Sequence, residues 1–157
     1  MPWEVTIRQA DGTPLGDLAV VRQQIAVSVP AMQFHREPSG PEKIAAARAA
    51  GIEFPDVIRQ HMEGRPATEQ AELDGDGFSV RLYGFDAQPL LAIYAEVRGN
   101  GNPVPFLAAL CRPNGWVAVD DTSGQPVDLA GPTAAGWESF RAYRDRVIRS
   151  IEESSSA

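Results

Sequence analysis

FSVRLYGFDAQPLLAIYAEVRGNGNPVPFLAALCRPNGWVAVD, residues 78–120, is the stretch that decides the fold. Phe78, Val80 and Leu82 alternate with Ser79, Arg81 and Tyr83, and Leu91, Ile93, Ala95 and Val97 alternate with Ala92, Tyr94, Glu96 and Arg98. A period of two held over that length predicts two strands, each with one face in the core. Gly84 to Pro89 links them as a short polar segment, so the pair is expected to be an antiparallel hairpin. After Gly99-Asn100-Gly101, Asn102 is placed to cap and Pro103 to start a helix that Phe106, Leu107, Leu110 and Cys111 continue. Pro113 biases the residue before it away from helical geometry, and Asn114-Gly115 turns the chain into a strand over Trp116–Asp120.

Toward the N-terminus, Trp3, Val5 and Ile7 alternate with Glu4, Thr6 and Arg8, an opening strand that ends at Asp11-Gly12. Thr13-Pro14 reads as a cap and first helical residue, with Leu15, Leu18, Val21, Ile25 and Val29 at helical spacing. Ile25–Val29 also alternates as a strand would, and Pro30 ends the segment either way. Met32 and Phe34 oppose Gln33, His35 and Glu37 in a second strand. Ser39 and Glu42 have capping-box spacing before Ile44–Ala50, which closes at Gly51, and a short helix follows over Pro55–Glu63. Ala71 and Leu73 form a strand joined to the central pair by the tight turn Asp74-Gly75-Asp76-Gly77.

On the C-terminal side, Gln125–Leu129 is expected to return as a short edge strand. A last helix over Thr133–Ile151 carries Trp137, Phe140, Val147 and Ile151 on one stripe, and residues 152–157 are expected to fray. The order βαβααβββαββα describes an α+β fold: one domain over residues 1–151, a mainly antiparallel sheet and helices on one face.

A chain of 157 residues supports a single core that buries about 70% of the unfolded surface. The formal charge of −7 argues against nucleic acid and anionic membranes as partners, because both require a concentrated basic surface. Thirteen of the fourteen basic residues are Arg, a bias that fits a bacterial source. A lone cysteine, no apolar run of membrane-spanning length and no leader-like N-terminus make the cytoplasm the expected compartment.

No Gly-x-Ser-x-Gly, Cys-x-x-Cys, His-Glu-x-x-His or dinucleotide-binding glycine pattern occurs, so no cofactor and no dedicated metal site is expected. Cys111 falls at the C-terminal end of its helix, where the dipole disfavours a thiolate, and reads as core packing. His61 reads as a residue at the edge of a helix face. Gly99–Asn102 lacks the lysine of a phosphate loop and reads as a cap. Two constellations keep a chemical reading: His35 with Glu37 as an acid–base pair if a pocket covers them, and Asp120, Asp121 and Asp128 as oxygen ligands at one hairpin end.

Charge is distributed unevenly. Between Ala67 and Leu129 nine acidic residues face three basic ones, which accounts for six of the seven net negative charges. The expected function is therefore a small non-enzymatic protein-binding domain whose acidic hairpin ends, Asp74 and Asp76 with Asp120, Asp121 and Asp128, engage a basic protein. An immunity- or antitoxin-like protein is its concrete form. A small enzyme or ligand-binding protein using His35 and Glu37 or the three aspartates is the alternative, and a homodimer through an exposed strand edge is also compatible with the sequence.

Overall fold

The computed structural model describes residues 2–130 and 135–156. It is an α+β fold whose six strands form one antiparallel sheet in the order β2-β3-β4-β5-β1-β6. The strands are β1 (Trp3–Gln9), β2 (Gln33–Glu37), β3 (Thr68–Asp74), β4 (Phe78–Tyr83), β5 (Ile93–Gly99) and β6 (Trp116–Asp120). The helices are α1 (Leu18–Ser28), α2 (Gly40–Ala49), α3 (Asp56–Glu63), α4 (Val104–Cys111) and α5 (Ala135–Ser156).

Alternation divides each strand between two faces. Trp3, Val5 and Ile7, Val80 and Leu82, Ile93, Ala95 and Val97, and Trp116 and Ala118 are all buried, and they meet Val21 and Ile25 of α1, Leu107 and Leu110 of α4, and Trp137 and Phe140 of α5. One hydrophobic core results. Trp3 is its aromatic centre, 5.6 Å from Trp137 and 6.3 Å from Phe140 between ring centroids. On the opposite face of the sheet, Glu96 alone among the strand side chains is buried.

Several local expectations are met for the reasons that suggested them. Ser39 and Glu42 close a reciprocal capping box on α2, and Gly51 takes a left-handed φ of 80° just beyond it. Asn102 Oδ1 accepts from the Val104 amide as expected, although Pro103 is the cap residue and α4 begins one residue later at Val104, and Gly115 turns into β6 at φ 69°. Two element starts are corrected. Helix α1 begins at Leu18 and not at Thr13-Pro14: Asp17 caps the Ala19 and Val20 amides, and Gln88 supports that cap from both sides of its amide. From Ile25 to Ser28 the same helix continues, as the helical spacing predicts. Strand β5 starts at Ile93, because Leu90 pairs with Gly16 and Leu91 is exposed.

Gln125–Leu129 does not form a strand of its own. It covers the outer edge of β6 through a single bridge, Val119 with Pro126, flanked by Asp120 N–H to Gln125 O and Val127 N–H to Ala118 O. Thr133, the expected start of the last helix, lies outside the described residues, and α5 runs on to Ser156, past the end expected for it. Among the described residues no helix is long and apolar enough to cross a membrane.

Candidate functional site

The uncovered face of the sheet is built by strand register. Glu72 of β3 lies opposite Arg81 of β4, Arg81 opposite Glu96 of β5, and Glu96 opposite Glu4 of β1. Arg81 donates to Glu96 Oε2 at 2.6 Å and Arg98 to Oε1 at 2.7 Å, so both guanidinium groups are committed to one carboxylate. Burial works to raise the Glu96 pKa, but the hydrogen bonds from Arg81 and Arg98 outweigh it and hold the carboxyl below its ordinary range.

One strand further on, the acids have no cation. Glu4 Oε2 accepts from the Tyr83 hydroxyl at 3.0 Å and Asp121 Oδ1 from the Thr6 hydroxyl at 2.7 Å. Neither carboxylate belongs to an ion pair among the described residues. The Tyr83 phenol is pushed up by burial, then by its bond to Glu4 and by the charges of Glu4, Glu96 and Asp121, so this part of the face has a negative potential. The Tyr83 ring packs 5.5 Å from that of Tyr94, its cross-strand neighbour, which is 39% exposed. The two tyrosines line an open cavity of about 460 Å³ with Thr68, Gln70 and Phe85, and a separate one of about 510 Å³ is lined by residues that include Gln33, His35, Glu72, Asp74, Arg81 and Arg98.

The structure brings some of the sequence-derived candidates together and separates others. Register places the Asp74–Gly77 turn, the Gly99–Gly101 loop and the end of β6 at one end of the sheet. The two acidic turns stand three strand spacings apart there, roughly 14 Å. Asp74, Asp76 and Asp121 are exposed at that end. Asp120 is not: it is 5% exposed, its carboxylate accepts from the Trp3 indole, the Thr122 amide and the Ser123 hydroxyl, and it faces the core while Asp121 faces solvent. Asp128 is held apart by accepting from the Ala130 amide. The three aspartates therefore do not converge. Among the described residues no three His, Cys, Asp or Glu side chains are grouped to hold a metal.

His35 and Glu37 share the uncovered face but not a contact. His35 approaches Glu72 at 3.7 Å, Glu37 pairs with Lys43, and both residues are exposed. His61 sits beside Arg65 on the exposed side of α3. Cys111 is fully buried, and burial pushes its thiol up to about 12. The glycine-rich stretch before α4 holds no open anion cradle, because the Asn100 and Gly101 amides both donate to Gly77 O. A Cβ at Gly101 would stand 2.1 Å from Asp76 O, so its absence serves the close approach of two turns.

Sequence reasoning missed Glu4, Tyr83 and Tyr94. Their signal was the polar half of the same alternation that identified the core, and it needed the strand order to bring them together. No family model, curated protein or solved structure matches this chain.

Proposed function

We propose that this is a non-catalytic protein-binding domain that receives a basic protein on the uncovered sheet face and its acidic end. An immunity- or antitoxin-like neutraliser of a basic toxin is its concrete form. The observation that carries the reading is the pairing of an exposed aromatic, Tyr94 on Tyr83, with the carboxylates of Glu4 and Asp121, which have no cation of their own among the described residues. Interfaces draw affinity from a few aromatic and Arg anchors, whereas surrounding opposite charge speeds encounter and rejects wrong partners. Catalysis has less support, since His35 and Glu37 do not meet and Asp120, Asp121 and Asp128 point apart.

Affinity capture from the source cell, with mass spectrometry of the retained proteins, tests this reading. The expected result is a basic protein that binds the wild-type chain and is lost with Tyr94→Ala. Retention by that variant at undiminished affinity would place the interface elsewhere.

A further inference from the structure

We propose that the chain forms a symmetric homodimer through the outer edge of β2, in which two β2 strands pair antiparallel about His35. The two edges of the sheet are treated differently. Gln125–Val127 hydrogen-bonds along the outer edge of β6. Strand β2 pairs with β3 alone, and no backbone group of Gln33–Glu37 bonds to any other segment among the described residues. A row of unpaired N–H and C=O groups is a template for another strand unless the chain blunts it with charge, Pro, a bulge or a covering segment.

Here the charges are compensated within the chain. Arg36 makes two bonds to Glu42 and Glu37 pairs with Lys43, so the two formal charges on the strand itself are each balanced by a side chain of α2. This distinguishes it from the acidic sheet end. The sequence of β2 is also self-complementary in this register. A two-fold axis at His35 sets Gln33 opposite Glu37 of the second copy on the uncovered face, where an amide can donate to a carboxylate. On the other face it sets Phe34 opposite Arg36, an aromatic opposite a guanidinium. An isologous contact of this kind uses up both free edges and stops at the dimer. Pairing occurs in the plane of the sheet, giving twelve continuous strands from two copies of six and leaving Tyr94 and Glu4 uncovered.

Sedimentation velocity over a concentration series tests the proposal, and the exposed position 33 reads the register. Gln33→Lys sets an ammonium opposite Glu37 of the second copy and tightens the dimer, whereas Gln33→Glu sets two carboxylates opposite each other and loosens it. The contact occurs twice by symmetry, so each substitution should shift the dimer constant by about two- to thirty-fold, in opposite directions. A monomer at every soluble concentration overturns the proposal and leaves this edge to a strand of another protein. A dimer indifferent to both substitutions overturns it as well, because the copies then meet elsewhere.

Discussion

Two adjacent aspartates show how a single step along the chain separates a buried carboxylate from an exposed one. Successive side chains of β6 point to opposite faces, so Asp120 enters the core end and Asp121 the uncovered face. Asp120→Ala removes the acceptor of the buried Trp3 indole, and a buried donor left without a partner costs about 1–3 kcal/mol. Asp121→Asn is expected to stay within about 0.5 kcal/mol, as exposed substitutions do. Urea denaturation of the two variants decides it: the midpoint falls for Asp120→Ala and holds for Asp121→Asn. This division was not legible in the sequence, where both residues belong to one acidic turn, because the register against β1 determines which faces inward. Cys111 was legible, since its place on the apolar stripe and at the C-terminal end of α4 both oppose a thiolate. With its pKa pushed up to about 12, the thiol stays protonated at neutral pH, and thiol reagents should leave the native protein unlabelled until denaturant is added. Rapid labelling of the folded chain would contradict that burial.

At the scale of elements, α5 is attached by its first half. Trp137 and Phe140 are buried against Trp3, whereas further along the same stripe Val147 is half-buried and Ile151 is exposed. The sequence showed the stripe but not where the sheet beneath it ends. It also gave no sign that Arg144 is an anchor: this guanidinium is 7% exposed, donates to Gly99 O at 2.9 Å and to Asn100 Oδ1 at 2.5 Å, and lies over the Trp137 ring. Its role depends on the loop before α4, which is distant in sequence and brought near by the β5–β1 pairing. Trp137→Ala is expected to cost about 3–5 kcal/mol, the range for truncating a large buried aromatic. Arg144→Ala is expected to cost about 2–4 kcal/mol, since charge-assisted bonds and ring packing go together. Arg144→Lys should recover only part of that, because an ammonium cannot span both acceptors as the planar fork does. Denaturant midpoints in the order wild type, Arg144→Lys, Arg144→Ala check this; an Arg144→Lys midpoint equal to that of the wild type would mean that the charge and not the fork holds the helix. Helix α2 has a separate pH dependence. Hydrogen bonds from Arg36 and then from Ser39 lower the Glu42 pKa to about 2, so the box is intact above the ordinary carboxyl pKa and is lost as pH falls through about 2. Glu42→Gln should therefore remove a stability difference seen at neutral pH and absent near pH 2.

For the whole molecule, the fold was readable because its determinants are local: alternation, caps and turns each act within a few residues, and the strand count depends on them. The surface proposed for recognition is non-local. Glu4, Tyr83, Tyr94 and Asp121 come from β1, β4, β5 and the turn after β6, and only the strand order places β1 between β5 and β6 so that they meet. Their division of labour gives a kinetic prediction for the binding function. In the proposed interface Tyr94 would supply contact area, so Tyr94→Ala should act mainly by raising the off-rate, with a loss of about 2 kcal/mol or more for an anchor. Asp121→Asn combined with Asp74→Asn and Asp76→Asn removes charge from the sheet end and should act mainly by lowering the on-rate. Screening shortens the reach of exposed charges to about 8 Å at physiological salt, so association of the wild type should slow as salt rises while dissociation changes little. The triple variant should lose most of that salt dependence, and Tyr94→Ala should retain it. Surface plasmon resonance of the captured partner at several salt concentrations separates the two effects. If Tyr94→Ala and the triple variant both leave the two rate constants unchanged, the partner docks on neither the uncovered face nor the acidic end, and the negative charge of this chain serves only its solubility.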